Sequence, residues 1–236
     1  MIVQQSAQIF KSYMNEVKRS NGYRCQSTLV FGDGSIEKQK SFGILKVLND
    51  EVLASGKRKL YVVEENRLII LMPLVGMLEV GTSMEYGGRV LLPEEIRICS
   101  LRKGQSFFVS NPSEKGLANF LQIQLTVEGF SGTISFSGYQ NNLLNVVLET
   151  EEYRVMFGVF DGRKEVEYYL KNPGNGIFAF IINGAFELEN RLLENRDGLA
   201  IWNTDIIELE ALSENAILLL MEIKIDVLPY LGTGHN

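Results

Sequence analysis

Histidine is almost missing from this chain: among 236 residues there is one, His235, beside the C-terminal Asn236. That scarcity excludes imidazole acid/base catalysis, a Ser-His-Asp triad and every metal site built on two imidazoles, the two-His-one-carboxylate iron site included. Cysteine is nearly as scarce. Cys25 and Cys99 are too few for a disulfide framework and lack zinc spacing, so they read as small buried hydrophobes in a reducing compartment. Positive charge is also short, with Lys+Arg 23 against Asp+Glu 29, a net charge of −6 and no basic run longer than Lys57-Arg58-Lys59. A phosphate-backbone binder needs more, so no direct contact with nucleic acid is expected. No stretch approaches the roughly 18 uninterrupted apolar residues of a membrane span. Residues 1–20 show no basic segment leading into an apolar one, and the expected address is the cytoplasm, with no membrane partner. With 45% hydrophobic and 22% charged residues and only 5 Pro, what remains is an ordinary globular composition.

The order of those residues points to β-structure. Ile9, Phe10, Tyr13, Met14 and Val17 fit one helical face and Asn21-Gly22 a stop, which predicts a short helix over 5–20. From about residue 25 onward the pattern changes to short runs of Val, Ile, Leu, Phe and Tyr broken by Gly, Asn and Asp, as successive antiparallel strands read. Sixteen such runs fall into two groups of eight, with predicted strands such as Glu95–Leu101, Ser106–Val109 and Gly198–Trp202. A Gly-, Ser- and Asn-rich stretch separates the groups. The expected organisation is therefore a first barrel over 1–128 that carries the helix, a junction over 129–142 and a second barrel over 143–236.

The halves also share a local device. Pro73-Leu74-Val75-Gly76-Met77-Leu78-Glu79 and Ile181-Ile182-Asn183-Gly184-Ala185-Phe186-Glu187 each set a glycine between apolar strands. About twenty residues later come the acidic breaks Pro93-Glu94-Glu95 and Asn203-Thr204-Asp205, which predicts a duplicated strand–turn–strand unit.

Phe42-Gly43-Ile44-Leu45-Lys46-Val47-Leu48-Asn49-Asp50, followed by Gly56, then Leu74-Val75-Gly76-Met77-Leu78-Glu79 and Asn111-Pro112-Ser113, resemble the pirin family in order and spacing. The resemblance implies an all-β bicupin, two tandem jelly-roll barrels in one chain, and covers most of 25–225. Pirins with activity carry a mononuclear metal, usually iron, in the first barrel, held by a His-x-His pair, a third His and a Glu. Registered on Gly76 and Asn111-Pro112-Ser113, those four positions fall on Val62, Glu64, Phe107 and Val109. Glu64 alone keeps a donor atom. A transition-metal site converges three or four N, O or S ligands, so the resemblance carries the fold without the ligand set, and no cofactor is expected.

Other candidates have plainer readings. Glu64-Glu65 is a solvated pair at a strand end, because strand neighbours point to opposite faces. Glu94-Glu95 after Pro93 is a turn. Cys99, sharing a face with Arg97 and Leu101, is packing, and Ser106, Ser110 and Ser113 have no histidine to activate them. Gly32-Asp33-Gly34 and the loop Asn172–Gly176 open no helix and cradle no phosphate. Phe107, Phe108, Val62, Met72 and Met77 are expected to fill or line the first barrel, and Trp202 to pack in the second. The sequence therefore reads as a non-catalytic, pirin-like protein that binds a small ligand or a protein partner. The alternatives are an iron-dependent quercetin 2,3-dioxygenase and a structural protein that forms homo-oligomers through one barrel.

Overall fold

The computed structural model describes residues 6–29 and 41–225; His235 and the Gly32-Asp33-Gly34 turn lie outside the described residues. The chain is all β. Its strands run β1 (Ser6–Phe10), β2 (Glu16–Ser20), β3 (Tyr23–Leu29), β4 (Leu45–Leu53), β5 (Arg58–Val62), β6 (Arg67–Val75), β7 (Leu78–Thr82), β8 (Arg89–Leu91), β9 (Glu95–Leu101), β10 (Ser106–Ser110) and β11 (Ala118–Leu125). There follow β12 (Gly132–Ser135), β13 (Asn145–Glu149), β14 (Tyr153–Phe160), β15 (Glu165–Tyr169), β16 (Asn175–Asn183), β17 (Phe186–Leu188), β18 (Arg191–Leu193), β19 (Gly198–Trp202), β20 (Ile206–Ala211) and β21 (Ala216–Lys224).

Each barrel is a large sheet facing a small one. The first joins β12-β9-β6-β11-β4-β3-β2 to β5-β10-β7-β8, and the second joins β1-β19-β16-β21-β14-β13 to β15-β20-β17-β18. The large sheets pack back to back. Leu48, Leu121 and Ile123 of the first meet the cluster of Phe178, Leu219 and Met221 of the second, in a core distinct from the two barrel interiors. The central strands are thus covered on both faces, which is why β6 and β16 are nearly continuous apolar runs. In the small sheets one face meets water, and β5 and β15 alternate.

Three expectations change. The segment predicted as a helix over 5–20 is β1, a single 3-10 turn at Ser12–Met14 and β2. Its apolar spacing marks no core face, since Ile9, Tyr13, Met14 and Val17 are exposed and only Phe10 is buried. Instead β1 pairs with β19, so the N-terminal strand edges the second barrel, and Lys11 binds Asp197 at 2.7 Å beside it. The stretch expected as a junction, 129–142, contributes β12 to the first barrel by pairing with β9. The duplicated unit holds, with a registration change. Gly76 and Gly184 both adopt positive φ, at 76° and 80°, and a Cβ on Gly76 would come within 2.6 Å of the Leu117 carbonyl. However, β9 pairs with β6 as β19 pairs with β16, so the counterpart of the Pro93-Glu94 break is the one before β19, where Arg196 matches the left-handed Glu94. Asn203-Thr204-Asp205 precedes β20, one strand later.

Candidate functional site

The first barrel bears a half-open cavity of about 550 Å³, bordered by β2, by β5 and by the loop after β5. Its floor comes from strand alternation. In β4, Asn49 and Glu51 face the barrel interior, while Asp50 faces the second barrel. Across the sheet Asn49 lies directly opposite Gln122 of β11 on one side and Ser27 of β3 on the other. A polar row of Ser27, Asn49 and Gln122 therefore crosses the sheet on this face, with Glu51 and Gln124 on either side of it.

Glu51 is fully buried. Its Oε2 accepts hydrogen bonds from Tyr61 Oη and, at 3.0 Å, from Tyr23 Oη, and its Oε1 accepts one from Asn49 Nδ2 at 3.2 Å. Burial pushes its pKa up, against the hydroxyl donors and the nearby Lys59. The same burial, with the Glu51 charge, raises both tyrosines, so their hydroxyls stay protonated donors. Tyr61 is held flat against Phe107, the ring centroids 4.7 Å apart and 8° from parallel. Two acceptors on the floor are left over: the buried Oδ1 of Asn49 and Oε1 of Gln122 have no protein partner.

Three of the four positions singled out from the sequence border this cavity, namely Val62, Glu64 and Phe107, and Val109 does not. Val62 ends β5 opposite Ser106 and is 62% exposed at the mouth. Glu64 is exposed in the following loop. Phe107 lies opposite Tyr61 and is 1% exposed, and Val109 is buried in the barrel core. Of the five residues expected to fill the barrel, only Phe107 fills its interior. Met72 belongs to the core between the barrels, Phe108 lies on the outer face beneath the Arg58 guanidinium at 3.6 Å, and Met77 is 37% exposed. The donor set does not fit a transition metal, because Val62, Phe107 and Val109 have no ligating atom. Among the described residues no three His, Cys, Asp or Glu side chains gather where a metal ion could be held. Cys99 is buried, and its thiol is pushed up to about 11 by burial against the pull of Arg97.

The second barrel repeats the tyrosine–glutamate contact without the opening. Tyr168 sits in β15 as Tyr61 does in β5, and donates to Glu222 at 2.6 Å. That carboxylate also accepts from the backbone N–H groups of Lys171 and Asn172 and from Asn175 Nδ2, at 2.9, 2.9 and 2.8 Å. Burial pushes the Glu222 pKa up, but these donors outweigh it and the net direction is down. Glu222 is a saturated anchor for the loop before β16. The sequence reading missed Glu51, Tyr23, Tyr61, Asn49 and Gln122. Their signal was a run of Asn, Asp and Glu between Leu48 and Val52, inside one strand.

Residues 150–223 match the quercetinase C-terminal cupin domain. The crystal structure of YhhW from Escherichia coli superimposes with a TM-score of 0.81 at 16% identity, over 94% of this chain and 99% of that one. The bacterial pirin YhhW in complex with nickel(II) gives 0.79 at 15% identity, over 94% and 100%. Quercetin 2,3-dioxygenase from Acinetobacter baumannii gives 0.71 at 10% identity, over 93% and 80%. A search of curated proteins by sequence gave no match. No helix among the described residues is long and apolar enough to cross a membrane. Residues 150–223 thus match a quercetinase C-terminal cupin domain, and over almost its whole length the chain has the bicupin fold seen in bacterial pirin.

Proposed function

We propose that this protein is a non-catalytic member of its fold family that binds a small molecule in the cavity of its first barrel without a metal. The observation that carries the reading is the pairing of a polar floor with apolar ligand positions. Asn49 and Gln122 present unpartnered acceptors, while Val62 and Phe107 stand where a pirin would supply imidazoles. Glu51 cannot substitute as a ligand, because both of its oxygens are engaged by Tyr23, Tyr61 and Asn49. The reading also assigns the protein to the cytoplasm, supported by two buried free cysteines, and assigns it no nucleic-acid partner, supported by the net charge of −6. Any self-association or protein partner would act beside this site.

The test is metal content and retained ligand on the same preparation. Untagged protein purified without chelators is incubated anaerobically with ferrous iron, manganese and zinc, then read by elemental analysis and native mass spectrometry. Substoichiometric metal with a retained or exchangeable small molecule is expected. One metal per chain, lost in Glu64→Ala, would overturn the reading in favour of a metal-dependent dioxygenase of the kind the A. baumannii likeness brings to mind.

A further inference from the structure

The cavity specifies more than the presence of a ligand. Gln122 is 1% exposed, and its Oε1, like Asn49 Oδ1, is buried without a hydrogen-bond partner. The two residues are cross-strand neighbours and both line the cavity. An unmet buried acceptor is costly, and two on neighbouring residues call for an occupant that brings two donors. The Asn49 amide is not free to turn, because its Nδ2 donates to Glu51.

The mouth selects on charge. Arg19 and Lys59 border it, and among the described residues neither forms an ion pair; Lys59 instead lies 4.9 Å over the Tyr23 ring. In a chain of net charge −6 this is a local reversal. With Lys18, Arg19, Lys59 and Arg67 against Glu64 and Glu65, the lining carries four positive charges to two negative, which disfavours an ammonium group, favours neutral donors at Asn49 and Gln122 and favours an anionic tail. Stacking is a poor alternative, since one face of Tyr61 is covered by Phe107 and one face of Tyr23 by Lys59.

We infer that the cavity takes a small polyhydroxylated anion, whose hydroxyls donate to Gln122 Oε1 and Asn49 Oδ1 and whose charged group stays at the mouth beside Arg19 and Lys59. This rests on the reading of the cavity as a binding site. The anion's source, a carboxylate or a phosphate, is left to the arms of the test.

Isothermal titration of the full chain at low salt uses gluconate and glucose 6-phosphate, with glucose, acetate and quercetin as comparators. At least one of the two hydroxylated anions is expected to bind about tenfold or more tightly than glucose or acetate, and to weaken as salt rises. The stronger of the two identifies the charged group. Gln122→Leu is expected to abolish that binding while leaving the thermal midpoint unchanged or raised, which separates loss of a contact from loss of fold. The pair Arg19→Gln and Lys59→Gln is expected to bring the anion down to the affinity of glucose. Equal affinity for glucose, or for acetate, overturns the inference and leaves the binding site standing. Binding of quercetin alone, or a neutral molecule retained in native mass spectrometry, does the same. If no probe binds and no molecule is retained, both the inference and the reading beneath it fall.

Discussion

Phe107 and Val62 occupy equivalent positions by resemblance, yet they should respond to truncation very differently. Phe107 is 1% exposed and stacks on Tyr61 at 4.7 Å, whereas Val62 is 62% exposed at the cavity mouth. Replacing a fully buried Phe by Ala costs about 3–5 kcal/mol, the lost transfer energy and the void together. The aromatic pair accounts for about 0.5–1.5 kcal/mol of such a loss. Val62→Ala removes little that is packed and should stay within about 0.5 kcal/mol of wild type. For a chain of this size about 1 kcal/mol moves the thermal midpoint by 2–4 °C, so Phe107→Ala should melt roughly 6–20 °C lower and Val62→Ala should be nearly silent. The assay is thermal and urea unfolding read by far-ultraviolet circular dichroism and by the single tryptophan, Trp202. Trp202 packs against the core between the barrels and lies in the other half of the chain. A shared core predicts that both probes shift together. A loss below about 1.5 kcal/mol for Phe107→Ala, or a comparable loss for Val62→Ala, would refute the account of how this barrel is filled.

Two buried glutamates should give pH dependences of opposite sign. The folded-state pKa of Glu51 lies above its ordinary 4.5, so the native protein keeps a proton that the unfolded chain has lost, and this contribution falls away as pH rises through the folded value. Glu51→Gln should therefore gain urea resistance relative to wild type as pH increases from 4.5, with little difference below it. Glu222 is shifted down, so its stabilisation is present above 4.5 and lost as pH falls through the folded value. Glu222→Gln should be destabilised at neutral pH and approach wild type in acid; the same sign for both variants would contradict the assignment. Arg196 ties the barrels together by donating to Asp50, to the Ile182 carbonyl and, at 3.1 Å, to Asn119 Oδ1. Arg196→Met leaves the buried Asp50 without its counter-ion, held still by Asn119 Nδ2, and should cost about 3–5 kcal/mol in urea unfolding, with Arg196→Lys in between. Cys99, buried with its thiol near 11, should react with a disulfide reagent at neutral pH only after denaturant is added, and fast labelling of the native protein would count against its burial.

Much of the fold was legible because it is written in alternation. Glu95–Leu101 and Gly198–Trp202 are strands at their expected bounds, where a run of apolar residues ends on turn chemistry. The first twenty residues were misread for a physical reason. Five apolar residues at helical spacing look like a buried face, but an unpaired edge of the second barrel offered β1 a ladder of backbone hydrogen bonds with β19, and pairing decided the matter. The strands β8 and β18, three residues each, carry too little pattern to be seen.

By itself the sequence determined that no site of two or more imidazoles can form. With one histidine no arrangement in space could gather them, because composition is independent of fold. It also determined the two-barrel architecture, since period-two patterning and the paired glycines Gly76 and Gly184 are local properties. The cavity floor was decided only by tertiary structure. Asp50 and Glu51 are neighbours in the chain, and both read as part of a polar break. The pleat of β4 sends one to Arg196 between the barrels and the other to Tyr23 and Tyr61 inside the first. Tyr23, Glu51, Tyr61 and Gln122 come from four strands as much as 99 residues apart, counting from 23 to 122, and nothing in their spacing announces that they meet. Long-range register makes that cavity, and register is set by which sheets pack together.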